Sequence, residues 1–127
     1  MANRFKDNLN QENGITLLRF DYNNGKYILV RTTTHAKARY EERGINLDEV
    51  CAAVVALGKQ VIYSASEQGE DIAILDKQKS DTLAIILTFE QDGNEIQARL
   101  RTVIQKKNIF IKHGTKIYRL EDYKGGF

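Results

Sequence analysis

The sequence predicts an α+β fold: an N-terminal β-hairpin, two helices, then an antiparallel β-meander with the helices packed on one face. Three observations carry that prediction. Two β-rich runs flank Asn23-Asn24-Gly25, the apolar residues then change to helical spacing up to Gly58, and from residue 60 onward short apolar runs alternate with polar turns. A chain of 127 residues without proline is the size of one domain, large enough to bury a core without a metal or a disulfide. With no repeat, linker or low-complexity tract to divide it, the expectation is a single domain over residues 1–127 with loose ends at 1–12 and 122–127.

The elements follow in order. Residues 15–20 and 27–32 are rich in β-forming side chains, and the Asn-Asn-Gly between them tolerates positive φ, which predicts a tight hairpin. After Thr34 the pattern turns helical: Ala36 and Tyr40 stand four apart with charged residues between, and Gly44 is a natural stop. Asn46 then caps a second helix, with Glu49 three residues on as the other half of a capping box. Val50, Val54 and Leu57 form its inward stripe, and Gly58 ends it.

From residue 60 the text reads as strands over 61–65, 71–75, 83–89, 96–104 and 109–113, with a short one at 116–120. Asp92-Gly93 marks a second hairpin. Residues 83–87 are apolar at every position and predict the central strand. In the next run Ile96, Ala98, Leu100, Thr102 and Ile104 alternate with Gln97, Arg99, Arg101 and Val103, which assigns the two arginines to the face away from the isoleucines.

Composition narrows the function classes. A lone Cys51 inside an apolar helical stripe cannot form an internal bridge, and it reads as a packing residue in a reducing cytoplasm. The amino terminus carries no apolar leader, and no run reaches the roughly 18 apolar residues of a membrane span, so neither secretion nor a membrane partner is expected. There is no glycine-rich phosphate loop, no cysteine or histidine spacing for zinc and no nucleophile elbow; no cofactor and no metal are expected.

Net charge is only +2, but its distribution is uneven. Over residues 60–95 acidic side chains outnumber basic ones, and from residue 96 onward the balance is basic. A basic sector is the usual footprint of a phosphate-bearing ligand, and a solvated surface of mixed sign is the plain alternative.

The most informative segment runs from His35 through Arg39 and Arg43 to Gly44-Ile45. Positions four apart share a helix face, so one imidazole and two guanidinium groups line up while Ala36 and Tyr40 turn inward. Arginines grip phosphate oxygens with paired hydrogen bonds, and imidazole is the side chain that gives and takes protons near neutral pH. Metal-free RNA cleavage needs those parts: a base for the 2′-hydroxyl, an acid for the leaving oxygen, and cations for the charge that gathers on phosphorus. Each residue also has a structural reading. His35 would cap the helix start beside Thr33 and Thr34, Arg39 and Arg43 would pair with Glu42 and Glu41, and Arg43 would satisfy the helix C-terminus.

The spacing His-Ala-x-x-Arg-x-x-Glu-Arg-Gly-Ile, with an acidic pair before a second helix ending in glycine, resembles a bacterial and phage family known only as a domain of unknown function. That family is grouped with the RelE-like toxins and with the barnase, EndoU, colicin and RelE ribonuclease fold. The match covers residues 35–58, about a fifth of the chain, and the order of helices before meander extends the likeness. The resemblance implies a RelE/barnase-like fold, a toxin or nuclease role on RNA without a metal, and His35, Arg39 and Arg43 as the motif positions. Two departures stand out: the hairpin before the motif, and the lack of a second histidine at a motif position.

Chemistry alone adds Arg99, Arg101, Lys106, Lys107, Lys112 and His113 as cations that could hold RNA phosphates. Tyr118 could stack on a base or pack in the core. Three functions compete. The chain is an RNA-directed, toxin-like or phage-encoded ribonuclease, or a catalytically silent module that recognises a host protein or nucleic acid. Alternatively it is an antitoxin- or immunity-type partner that uses Asp71 and Asp76 as part of an acidic surface. A cognate antitoxin or host protein is the partner expected beside RNA; oligomeric state is not legible.

Overall fold

Chain reversal at Gly25, with φ 85°, joins the first two strands where the Asn-Asn-Gly signal places it. The computed structural model describes residues 14–124; the end segments 1–12 and 125–127 of the sequence reading lie outside the described residues. Strand β1 (Gly14–Asp21) runs antiparallel to β2 (Tyr27–Thr33), closed by Tyr22 N–H donating to the Lys26 carbonyl at 3.0 Å.

Helix α1 (Thr34–Glu42) starts directly from β2. Thr33 is its cap, its hydroxyl accepting from the Ala36 N–H at 3.0 Å. At the other end Gly44 takes φ 77°, its N–H donates to the Glu41 carbonyl, and the Ile45 N–H donates to the Tyr40 carbonyl, both at 3.0 Å. Those are the two bonds of a Schellman stop, with Tyr40 and Ile45 buried together beneath it. Helix α2 (Leu47–Leu57) is capped by Asn46, whose Oδ1 accepts from the Asp48 N–H at 2.9 Å; Glu49 instead meets Gln78. Its stripe of Val50, Val54 and Leu57 is buried as the spacing predicts.

Residues 61–65, expected as a strand, belong to a third helix, α3 (Lys59–Gln68). Val61-Ile62-Tyr63 favours a strand locally, but Ile62 and Ala65 stand three apart and are both buried, a helical spacing. Lys59 is also anchored to the first hairpin, its ammonium donating to the Asp21 carbonyl at 2.8 Å and its carbonyl accepting from the Tyr22 hydroxyl at 2.7 Å. Tertiary contact decides the element here, not propensity.

The remaining strands are β3 (Ile72–Lys77), β4 (Thr82–Asp92), β5 (Glu95–Lys106) and β6 (Lys116–Arg119), followed by a short helix α4 (Glu121–Lys124). They join the hairpin in one six-stranded sheet of order β1-β2-β5-β4-β3-β6. Strands β3, β4 and β5 form the expected antiparallel meander, with β4 near the centre. The sheet as a whole is mixed, because β2 runs parallel to β5 and β6 parallel to β3. Reaching that parallel edge requires residues 107–115 to cross the sheet, and this explains why 109–113, expected as a strand, have no ladder. Residues 122–124, expected as tail, are part of α4, where Tyr123 packs against the core and lies 6.0 Å from Tyr118.

The helices and one face of the sheet share a single apolar core that includes Val54, Ile62, Ile74, Ile85, Leu87 and Val103. Val103 corrects the alternation read from the sequence. Ile86 lies opposite Thr102 while Leu87 lies opposite Leu100, so Arg101 is an extra residue in β5. This β-bulge resets the faces: Leu100 and Val103 both enter the core, and Thr102 is turned to the opposite side. Among the described residues no helix is long and apolar enough to cross a membrane.

Candidate functional site

Strand β2 pairs with β5 only as far as Arg31 opposite Arg99; it stays paired with β1 through Thr33 and then passes directly into α1. Strand β5 continues to Lys106, so α1 runs beside a stretch of β5 that β2 no longer covers. Between them lies an open groove of about 250 Å³ whose lining includes His35, Arg39 and Arg43 from α1 and Arg101 and Thr102 from β5. The bulge and the groove coincide. An extra residue re-aims a side chain and twists its strand, and here that residue brings the third guanidinium group to the groove.

Local structure leaves the α1 side chains available. Thr33 performs the capping that His35 could have performed, and His35 is exposed. The expected pairing of Arg39 and Arg43 with Glu42 and Glu41 does not form: among the described residues no carboxylate makes an ion pair with either arginine. Backbone donors close the end of α1, including the Arg43 N–H to the Tyr40 carbonyl at 3.1 Å, so the Arg43 side chain is not needed there.

Tyr40 lines the same groove at its buried side. Burial pushes its phenol above the ordinary tyrosine value, and the positive charges of Arg43 and Arg39 act in the opposite direction. The net result is a protonated hydroxyl among cations. Sequence spacing had assigned Tyr40 to the core, which is correct for its ring.

The other expected cations are distributed along the same strand and the loop that follows. Arg99 is half-buried; burial lowers its guanidinium from the usual value, Glu90 raises it, and Arg101 lowers it. Lys106 shares a second groove, of about 370 Å³, with Arg43 and Ile45. Lys107 and Lys112 both belong to the crossing segment, Lys107 in a groove that also includes Arg119 and Lys112 in a third groove that also contains Arg101. His113 is exposed in the turn before Gly114. Tyr118 packs against the core under Lys116, whose ammonium is 5.5 Å from the ring, so its ring takes the packing position.

Three features escaped the sequence. Arg31 sits in register beside Arg99, donates from Nη1 to the Thr16 hydroxyl at 2.6 Å, and keeps a buried Nε without an acceptor among the described residues. Thr102 joins the groove only because of the bulge. Phe110, read as part of a strand, is 91% exposed at the rim of the third groove. For Arg31 and Thr102 no local signal exists, since strand pairing and bulges are set by partners far away in sequence. For Phe110 the signal was the lysines and glycine that crowd residues 106–116.

Cys51 is half-buried, and burial together with the nearby Asp48 raises its thiol above the usual value, so it is a poor nucleophile. Among the described residues no cluster of histidine, cysteine and carboxylate side chains could hold a metal ion. Compared with known proteins, the chain matches no family model, no curated protein and no solved structure.

Proposed function

We propose that the α1/β5 groove binds the phosphate backbone of RNA and cleaves it without a metal. The observation that carries this reading is the convergence of one imidazole and three guanidinium groups, from His35, Arg39, Arg43 and Arg101, on a single open groove. Like charges brought together without carboxylate partners repel one another, and a bound phosphodiester relieves that repulsion. The resemblance of the His35–Ile45 motif to the RelE-like toxins, and of the helix-then-meander order to the RelE/barnase-like fold, supports the same reading.

In this scheme His35 takes the proton of the 2′-hydroxyl, and the 2′-oxygen attacks phosphorus. Arg39, Arg43 and Arg101 hold the phosphoryl oxygens as charge builds on them. The bond to the 5′-oxygen breaks, and that oxygen takes a proton from the Tyr40 phenol. A 2′,3′-cyclic phosphate and a 5′-hydroxyl end result. Tyr40 and His35 are then reset through water.

Purified protein should cut single-stranded RNA in the presence of EDTA. The rate should fall about 100-fold or more in His35→Ala, and cleavage should fail on RNA carrying a 2′-deoxy residue at the cut. Activity lost to EDTA, or retained in His35→Ala, would refute the scheme. One observation favours a second reading: His35 is the one imidazole in the groove among the described residues. A phage or bacterial module that holds RNA, or a host protein, without cutting it needs no proton relay. RNA retained intact on the wild-type protein, and released by Arg39→Ala, would select that reading. Toxicity on induced expression, lost in His35→Ala and Arg39→Ala, would select the toxin.

A further inference from the structure

Two grooves meet at Arg101 and Thr102. One is the α1/β5 groove, and the other is the third groove, of about 440 Å³, between the sheet and the crossing segment 107–115. Their chemistry differs in kind. The first gathers cations. The second is walled by Ile86, Ile104 and Ile111, carries the carboxylate of Asp71 and the hydroxyl of Thr88, and has Phe110 at its rim. Isoleucine walls offer a phosphate no hydrogen-bond donor and the Asp71 carboxylate is an acceptor, so the interior of this groove differs from the anion site even though Arg101 and Lys112 also line it. A flat heterocycle with amino N–H groups is the ligand those walls suit, since apolar faces cover its rings and a carboxylate accepts from its edge.

We infer that the groove under Phe110 is a nucleobase subsite, which takes a base of single-stranded RNA attached to the phosphate held at Arg101. This inference rests on the reading of the α1/β5 groove as a phosphate site. A phenylalanine that is 91% exposed gains almost nothing from burial in the folded chain; against a base it covers a π face and excludes water. Arg101 and Lys112 stand on this groove as well, and their charges suit the phosphates on either side of the stacked base. A duplex cannot present an unpaired face to such a groove, which sets the substrate class as single-stranded RNA.

The chain contains no tryptophan, so Phe110→Trp introduces a single indole reporter at an exposed position. It would be titrated with a short single-stranded oligoribonucleotide carrying 2′-deoxy residues to prevent cleavage, with the same oligomer made abasic at its central positions, and with inorganic polyphosphate. The intact oligomer should quench the indole strongly. The abasic oligomer and polyphosphate should bind with little quenching, and binding of both should weaken in Arg101→Ala. Phe110→Ala should weaken the intact oligomer about tenfold and leave polyphosphate unchanged.

Equal quenching by intact and abasic oligomers would overturn the base subsite and leave the phosphate site standing. Unchanged affinity of Phe110→Ala for the intact oligomer would do the same. Failure of the wild-type chain to bind any of the three probes would overturn both.

Discussion

The two faces of the sheet are built from the same strands and covered in opposite ways. One face lies under α1, α2 and α3, and its side chains, among them Ile74, Ile85 and Leu87, are fully buried. The other lies under the crossing segment 107–115, which has no regular structure and leaves two grooves over Leu75, Thr82, Ile86 and Ile104. The covered face stabilises, since each fully buried isoleucine contributes roughly 1.5–3 kcal/mol by leaving water. The loosely covered face keeps polar and apolar groups within reach of a ligand. On the reading proposed above, burial on the covered face serves folding and the open grooves serve binding, and the two roles can be tested separately.

The largest effect expected is on the covered face. Ile85→Ala removes a side chain with no exposed surface and leaves a cavity between β4 and the helices, at a cost of about 3 kcal/mol. Ile104→Ala, on the other face, shortens a half-exposed side chain beside an existing groove and should cost under about 1 kcal/mol. Denaturant unfolding of both variants measures the difference. Equal losses would mean that both faces carry the fold and that the grooves are not free for a ligand.

The covered face was also the legible one. Capping by Asn46, the inward stripe of α2, both hairpins and the central apolar strand follow from local rules, and each is where those rules place it. What local rules missed is what distant partners decide. Residues 61–65 are helical because Ile62 meets the core and Lys59 meets the first hairpin; residues 109–113 lack a ladder because β6 occupies the edge of β3. In the candidate site the α1 face of His35, Arg39 and Arg43 was legible from their spacing of four. The part that Arg101 plays beside them was not, because alternation read straight through residue 101 assigns Val103 and Thr102 to the wrong faces.

A smaller effect should come from the cap that carries the α1 wall. Thr33→Ala removes the hydroxyl that accepts from the Ala36 N–H, and loss of such a cap costs about 1 kcal/mol, or about 4 °C in Tm for a domain of this size. Thr33→Ser keeps the acceptor and should restore most of that loss. Because His35 lies in the first turn, the alanine variant should weaken RNA binding more than its stability loss accounts for, whereas Ile85→Ala should spare binding at temperatures where it remains folded. A cap variant with normal affinity would separate α1 from the groove.

The smallest stability change is expected from the most drastic alteration of the groove, deletion of Arg101. Removing one residue from the interior of a strand ordinarily moves every following side chain to the other face. Here Leu100 and Val103 already enter the same face across an extra residue, so deletion restores plain alternation: Leu100 stays opposite Leu87, Thr102 opposite Ile86, and Val103 opposite Ile85. The deletion variant should therefore unfold within about 1 kcal/mol of the wild type, while Arg101→Ala, which keeps the bulge, should be equally stable. Both should lose affinity for polyphosphate. If the deletion variant is severely destabilised, the bulge belongs to the architecture of the sheet; if it is stable and still binds, the cation of residue 101 is not part of the site. A stable chain that has lost the anion would show that β5 carries its extra residue for the ligand, at the one position where the covered face and the open face would otherwise have continued undisturbed.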